Sequence, residues 1–245
     1  MAVEIKILGE RNTGTNYLEK LVKINIDARI LFGAFPRRFN KWPLKYEWLR
    51  DAYFNITFSH NLGWKHAMAP SFDELKLSKN NDVVFLTLSK NPYSWLLSMY
   101  KRPYHFGKKL RSFDDFLQTP WKTVGRERHS ESFANPIVLW NKKNASYTKL
   151  STIAPTINLR YEDVLSEPER IIDTIKSEYN LQRRSKQFVN LENAAKKQDS
   201  DRNFDYYRDY YLEERWRSYL SDDQISFIND NLDFKLLEHY NYQKL

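Results

Sequence analysis

The N-terminal segment contains a short strand, a loop with a glycine at each end, and the start of a helix. Residues 4–8 alternate as a strand with one buried face does, and the apolar residues from Thr15 to Ile24 recur at helical spacing. Gly9 and Gly14 bound the loop. A loop of this form at a helix N-terminus directs backbone N–H groups at an anion. The segment therefore predicts an α/β fold with a phosphate-binding loop.

The residues after Gly14 differ from those of an ATP-hydrolysing loop. Such loops carry a lysine for the β- and γ-phosphates and then a serine or threonine for Mg²⁺. Here Thr15 and Asn16 occupy these positions. The loop keeps the geometry for holding a phosphate and lacks the groups that handle a metal-bound γ-phosphate. This combination favours a phosphate-bearing donor other than ATP.

Further strands and helices predict a three-layer α/β fold. Residues 82–89 form a nearly continuous apolar run, which is typical of a parallel strand buried on both faces. Residues 156–161 are predicted as another strand, and 54–60 as a strand ending at His60. The predicted helices cover 93–101, 113–118, 134–149, 167–179, 222–231 and 234–240. Strands alternating with helices indicate a central parallel sheet with helices on both faces.

Composition limits the possible classes of protein. A chain of 245 residues without a linker-like segment is expected to form one domain over 1–245. The absence of cysteine excludes disulfides, a cysteine nucleophile and a thiolate metal site. With no apolar run long enough for a membrane span and no secretory signal at the N-terminus, a cytoplasmic protein is expected.

The charge indicates an anionic partner without identifying it. The net charge is +8 and aromatic residues make up 16% of the chain, which suits a nucleotide or an anionic glycan. A solvated basic face explains the same numbers equally well. Nucleic acid is not expected, because the basic residues are dispersed and no recognition motif is present.

Polar residues follow several of the predicted strands. The first loop, His60, Lys90 and Tyr161 all lie at predicted carboxyl ends. Ligands of parallel sheets bind at this edge. We therefore expect these residues to share one site.

Three motifs resemble, in order, those of sulfotransferases that use 3′-phosphoadenosine 5′-phosphosulfate (PAPS). The segment 12–16 resembles the family's 5′-phosphosulfate loop. Lys90-Asn91-Pro92 with Ser98 resembles its 3′-phosphate motif, and Leu-Arg-Tyr-Glu-Asp-Val at 159–164 resembles its Leu-Arg-Tyr-Glu-Asp-Leu segment. Weaker similarity covers most of the chain, and the resemblance implies the P-loop-like fold of that family.

The resemblance implies how a donor would be held. Backbone and side-chain donors of the loop would bind its 5′ end, Lys90 and Ser98 its 3′-phosphate, and Tyr17 and Tyr161 its adenine. The candidate donor-binding residues are Arg11, Asn12, Thr13, Gly14, Thr15, Asn16, Tyr17, Lys90, Ser98 and Tyr161.

The resemblance also implies catalytic roles. His60 matches the family's catalytic histidine and is the expected general base, with His66 as a second candidate. The family's usual cation at position 12 is Asn12 here, so Arg11, or Lys65, is expected to supply the positive charge. No metal is implied.

The sequence thus predicts a sulfotransferase that transfers a sulfuryl group from PAPS to a hydroxyl, or an amine, of a carbohydrate or other small metabolite. One alternative is a P-loop-like nucleotide kinase, which the missing Walker lysine argues against. The other is a catalytically inactive relative that binds a nucleotide or an anionic glycan, for which Asn12 is the best support. The oligomeric state is not predicted.

Two segments allow more than one interpretation. Residues 28–56 are predicted to be irregular and to cover a pocket, so Trp42 and Trp48, like Trp64 further along, belong either to the core or to an acceptor pocket. Residues 192–217 are charged and tyrosine-rich, and the Lys-, Arg- and Tyr-rich part at 196–217 is most often a solvated face. By analogy with the family's basic C-terminal loop, it is alternatively a lid over the donor.

Overall fold

The computed structural model describes residues 3–35, 46–80, 82–104, 110–129, 132–192 and 202–245. The strands are β1 (Glu4–Leu8), β2 (Arg29–Ile30), β3 (Val83–Ser89), β4 (Trp121–Lys122), β5 (Ser132–Phe133) and β6 (Thr156–Arg160). Four of them form a parallel sheet in the order β2-β1-β3-β6, and β4 pairs with β5 in a small antiparallel ribbon. In the main sheet Glu4 lies opposite Val83, and Phe85 lies opposite Thr156.

The helices surround this sheet. In chain order they are α1 (Thr15–Asn25), α2 (Glu47–Ile56), α3 (Phe58–Asn61), α4 (Phe72–Leu75), α5 (Pro92–Lys101), α6 (Phe113–Gln118), α7 (Pro136–Leu150), α8 (Tyr161–Ser166), α9 (Pro168–Glu178), α10 (Phe204–Leu212), α11 (Asp222–Asn231) and α12 (Phe234–His239). Within the described ranges, none of these helices combines the length and the apolar character needed to cross a bilayer.

The two central strands divide their side chains between the two faces of the sheet. Successive residues of a strand point to opposite sides. Ile5 and Ile7 of β1 therefore share a face with Val84, Leu86 and Leu88 of β3, and they pack in one buried cluster with residues of α1, α8 and α9. This cluster forms the layer on one side of the sheet.

The opposite face is covered by a different set of elements. Leu8 and Phe85 point to this side and pack with Leu31 and with Tyr147 and Leu150 of α7. A larger aromatic cluster continues beyond them through α5, α6, α7, α11 and α12. The predicted three-layer α/β fold, with a central parallel sheet and helices on both faces, is confirmed.

Most predicted elements are confirmed with small shifts of their ends. The strands predicted at 4–8, 82–89 and 156–161 correspond to β1, β3 and β6. The predicted helices from 93–101 onward correspond to α5, α6, α7, α9, α11 and α12. Tyr161 lies at the start of α8, directly after β6 rather than within it.

The strand predicted at 54–60 is wrong. This segment contains the end of α2 and most of α3. Phe54 is the buried residue of α2, so the helix covers the core with one side chain instead of offering alternate residues to a sheet. The edge beside β1 is formed by β2, which lies in the region predicted to be irregular. Residues 36–45 of that region lie outside the described residues.

Candidate active site at the carboxyl edge of the sheet

A cavity of about 860 Å³ lies at the carboxyl ends of β1, β3 and β6. It is bordered by the loop after β1, by Lys90 directly after β3, and by Tyr161 directly after β6. Among the described residues it is lined by six cationic side chains and by no aspartate or glutamate. The cations are Arg11, Lys65, Lys90, Lys101, Arg102 and Arg202. The cavity is therefore suited to a polyanionic ligand.

The loop after β1 ends at Gly14, whose geometry requires glycine. Gly14 has a φ of 93° and is the N-cap of α1. A Cβ at this position would lie 2.3 Å from carbons of the Tyr161 ring. The Gly14 carbonyl accepts hydrogen bonds from the N–H groups of Tyr17 and Leu18. Thr15 and Asn16, whose N–H groups precede the first intrahelical bond at the free end of the helix, border the cavity.

The Thr13 side chain does not face the cavity as expected, whereas Asn12 borders the cavity and its side chain contacts α5. Thr13 is 2% exposed, and its Oγ1 donates to the Glu10 carbonyl at 2.6 Å. The Asn12 Nδ2 lies 3.2 Å from the Met99 Sδ, on the side of α5. Asn12 has a φ of 65°, a left-handed conformation that asparagine adopts more readily than lysine does. Backbone geometry thus gives a reason for asparagine at the position where the resembled family has a cation.

The Arg11 side chain lies between two aromatic rings. Its guanidinium is 4.0 Å from the centre of the Tyr104 ring and 4.8 Å from that of Trp64. The Trp95 indole N–H donates to the Arg11 carbonyl at 2.8 Å. Burial lowers the pKa of Arg11, yet a guanidinium remains charged at neutral pH. The loop therefore has a cation held between aromatic side chains beside the cavity.

A second cation, Lys65, contacts the start of α1. Its Nζ donates to the Asn16 Oδ1 at 2.6 Å and to Glu19 at 2.9 Å. Lys65 lines the cavity, as do Arg11 and Trp64. Both candidates for the missing cation of position 12 therefore lie at this loop.

His66 lies at the cavity in one defined tautomer. Its Nδ1 is 2.6 Å from the Gly9 carbonyl oxygen. Because a carbonyl oxygen can only accept, Nδ1 carries the proton and Nε2 is the acceptor. Burial, followed by the charges of Lys65 and Arg11, lowers the pKa of His66 well below its usual value. His66 is therefore neutral at pH 7.

His60 does not share this location. It is exposed on α3, and its carbonyl accepts from the Asn80 side chain at 2.9 Å. The expectation that it follows a sheet strand beside the loop is wrong, because its segment is helical. The described lining of the cavity includes His66 and not His60.

Lys90 and Ser98 meet as expected. Lys90 is 1% exposed, and its Nζ donates to the Ser98 Oγ at 2.9 Å. The Ser98 Oγ lies 3.3 Å from the Tyr211 hydroxyl, and the Lys90 Nζ lies 3.8 Å from the centre of the Tyr211 ring. Burial alone would raise the pKa of Tyr211, but the Lys90 charge lowers it below its ordinary value. Tyr211 completes this cluster.

Aromatic side chains of α10 form one wall of the cavity. Tyr207 and Tyr211 are parallel, with ring centres 6.4 Å apart, and so are Tyr206 and Tyr210, at 6.1 Å. The interpretation of this stretch as a solvated face is wrong for Tyr207, Tyr210 and Tyr211, which are partly buried, whereas Tyr206 is 41% exposed. In the sequence, the four-residue spacing within each pair could have indicated that its two tyrosines lie on one face of a helix. Residues 193–201 of the stretch lie outside the described residues.

The predicted adenine-contacting residues also lie at this cavity. Tyr17 stacks on Phe204, with ring centres 5.9 Å apart, and its hydroxyl donates to Asn190 at 2.7 Å. Tyr161 packs edge-on against Tyr211 at 5.3 Å. Of the tryptophans left open by the sequence, Trp64 lines the cavity, Trp48 is 65% exposed, and Trp42 lies outside the described residues.

The donor set of the cavity does not resemble that of a Mg²⁺ site, which uses carboxylate oxygens. The part of the chain with described coordinates contains no group of three or more His, Asp or Glu residues arranged to hold a metal ion. Ligand charge at this cavity would be met by lysine and arginine side chains and by backbone N–H groups.

No family model matches the sequence, and neither does any curated protein. The structure is nevertheless similar to solved sulfotransferases. A sulfotransferase from Alicyclobacillus acidocaldarius aligns with a TM-score of 0.52 and 14% identity, covering 99% of this chain and 97% of that one. The sulfotransferase domain from the curacin biosynthetic pathway aligns with a TM-score of 0.54 and 11% identity, covering 100% of this chain and 99% of that one. The sulfotransferase domain of the Synechococcus PCC 7002 olefin synthase aligns with a TM-score of 0.50 and 11% identity, covering 98% of this chain and 94% of that one. The chain has the fold of these sulfotransferases.

Proposed function

We propose that this protein is a sulfotransferase that transfers a sulfuryl group from PAPS to a hydroxyl, or an amine, of a carbohydrate or other small metabolite. The observation that carries the proposal is one cavity bordered by the loop after β1, the Lys90–Ser98 pair and Tyr161, with cations and no acids among its described lining. The likeness in fold to sulfotransferases supports it. We further propose that residues 1–245 act as a single domain.

In this proposal the two anionic ends of the donor are held by separate groups. The N-terminus of α1, with Asn16 and Lys65, binds the 5′ end. Lys90, Ser98 and the Tyr211 hydroxyl bind the 3′-phosphate. Tyr17, Phe204 and Tyr161 provide aromatic surfaces for the adenine.

The donor supplies, when bound, a sulfuryl group activated by its bond to the 5′-phosphate. His66 Nε2 accepts the proton of the acceptor hydroxyl while the acceptor oxygen bonds to sulfur and the sulfur–phosphate oxygen bond breaks. Arg11 and Lys65 stabilise the negative charge on the departing adenosine 3′,5′-bisphosphate. We assign the base to His66 and not to His60, because His66 lines the cavity.

Calorimetric titration of the protein with adenosine 3′,5′-bisphosphate and with ATP tests the proposal. We expect the bisphosphate to bind at least about tenfold more tightly, which corresponds to about 1.4 kcal/mol. A preference for ATP would favour the kinase alternative, and no binding of either nucleotide would refute a nucleotide site. Release of the bisphosphate from PAPS should then be screened over hydroxyl-bearing carbohydrates and metabolites. Binding without turnover on any acceptor would favour the inactive relative.

A further inference from the structure

A lysine buried behind the cavity wall joins three separate segments of the chain. Lys143 of α7 has no exposed surface. Its Nζ donates to the Glu127 carboxylate at 2.9 Å and to the His66 carbonyl at 2.5 Å, and it lies 3.3 Å from the Glu10 Oε2. Two of the three ammonium hydrogens go to Glu127 and to the His66 carbonyl, and Glu10 Oε2 is held as an ion-pair partner. Lys143 therefore fixes the loop after β1, the His66 segment and the 3₁₀ turn at 125–127 relative to one another.

Glu10 extends this connection to Arg11 by two routes. Its Oε1 accepts from the Arg11 backbone N–H at 2.6 Å and from the Tyr104 hydroxyl at 2.6 Å. The Tyr104 ring in turn lies 4.0 Å from the Arg11 guanidinium. Glu10 thus holds both the backbone of Arg11 and the ring against which the Arg11 side chain packs.

We propose that Lys143, Glu10 and Tyr104 form a positioning network that fixes Arg11 and His66 at the sulfuryl end of the cavity. This inference rests on the proposed function. Lys143 and Glu10 do not line the cavity, so they act through Arg11 and His66 rather than on a substrate.

Stability alone is a weak reason for such a network. Burying charged groups has a large desolvation cost, and a well-packed apolar replacement of a buried ion pair is often as stable or more stable. Apolar side chains, however, cannot fix the direction of the Arg11 N–H or of the Tyr104 hydroxyl, whereas a carboxylate does so through hydrogen bonds. In addition to burial and the larger effects of the Lys65 and Arg11 charges, the Lys143 charge helps to lower the pKa of His66.

The first test compares Tyr104→Phe with Tyr93→Phe. Both substitutions remove one buried hydroxyl that donates to a side-chain oxygen, Glu10 in one case and Asn229 in the other, and both keep the ring. The measurement is the ratio of the affinities for PAPS and for adenosine 3′,5′-bisphosphate, which reports on contacts to the sulfuryl group alone. We expect the ratio to fall about three- to tenfold in Tyr104→Phe, the worth of one hydrogen bond, and to stay within about twofold in Tyr93→Phe.

The second test removes the lysine without leaving an unbalanced charge. In the double variant Lys143→Met with Glu127→Gln, we expect the same fall in the affinity ratio. We also expect a rise in the pKa of His66 and loss of its single tautomer, read from the imidazole nitrogens by NMR with His66→Gln for assignment. The nitrogen measurement needs no nucleotide and reports on the network directly.

The outcomes separate the two proposals. A wild-type affinity ratio and a wild-type His66 titration in both folded variants would overturn the network and leave the sulfotransferase proposal intact. Wild-type protein that binds neither nucleotide, with a shifted His66 titration in the double variant, would refute the donor site alone. Should the double variant fail to fold, the comparison of Tyr104→Phe with Tyr93→Phe decides.

Discussion

Gly14 and Asn12 have left-handed backbone conformations just before α1, where the chain turns beneath the cavity. Their φ values are 93° and 65°. The glycine was recognisable in the sequence, because phosphate-binding loops need close backbone approach at this point. The reason for Asn12 could not be recognised in the sequence, because a sequence does not show backbone angles. In the structure Asn12 is explained by its turn, and the positive charges come from Arg11 and Lys65 beside it.

Replacing Gly14 with alanine should strongly destabilise the protein. The left-handed angle costs about 1–2 kcal/mol for a residue with a Cβ, and the overlap with the Tyr161 ring adds about 1–3 kcal/mol. We expect the free energy of unfolding in urea to fall by about 2–5 kcal/mol. The control is Gly63→Ala, whose φ of 86° carries the same backbone cost but whose Cβ would lie 3.4 Å from its nearest neighbour, the Phe58 ring, at ordinary contact distance. Equal stability of the two variants would contradict the role of Gly14.

His66 should make the stability of the protein depend on pH. Its pKa is lowered in the folded state, from an ordinary value of 6.5, so the unfolded chain binds more protons between the two pKa values. The stability that the wild type derives from neutral His66 is therefore present above about pH 6.5 and is lost as the pH falls below it. In urea titrations from pH 8 to pH 5, the wild type should lose stability relative to His66→Gln. A constant difference over this range would show that His66 is not held neutral.

The elements that build the cavity differ in how far their sequences determine them. β3 was predictable because a strand buried on both faces must be apolar along its length. Lys90 and Ser98 were predictable because the junction with α5 sets their distance locally. The sequence does not determine that these elements are joined at the cavity by Tyr104, His66 and Tyr211. Their positions there depend on tertiary packing between distant segments. The segment at 54–60 was mispredicted because its apolar residues fit both an alternating pattern and the helical one that it adopts.

The junction of β3 with α5, together with α10, should select nucleotides with a 3′-phosphate. We expect Tyr211→Phe to lower the ratio of affinities for adenosine 3′,5′-bisphosphate and adenosine 5′-monophosphate about two- to tenfold, the worth of one hydrogen bond. Lys90→Met should lower it further, since it removes a charge. The control is Tyr206→Phe on the same helix, which lines the cavity and stacks on Tyr210. If all three variants keep the wild-type ratio in calorimetry, the 3′-phosphate is bound elsewhere.

The molecule as a whole favours anions at this one edge of its sheet. Its net charge is +8, and the described lining of the cavity has six cations and no carboxylates. The cations come from distant parts of the chain: Arg11 and Lys90 follow β1 and β3, whose carboxyl ends share one edge of the sheet. Lys65, Lys101, Arg102 and Arg202 reach the cavity from loops and helix ends. Such a distribution raises the local concentration of an anionic ligand before any contact forms.

Binding of adenosine 3′,5′-bisphosphate should therefore weaken with salt mainly through its association rate. The Debye length falls from about 10 Å at 0.1 M to about 3 Å at 1 M ionic strength, so the attraction of the basic cavity for the incoming nucleotide is progressively screened. In stopped-flow experiments from 50 to 500 mM NaCl, we expect the association rate constant to fall about tenfold and the dissociation rate constant to change much less. Adenosine, which carries no phosphate, is the control and should show little salt dependence. An association rate for the bisphosphate that is equally insensitive to salt would mean that the cations are neutralised within the protein.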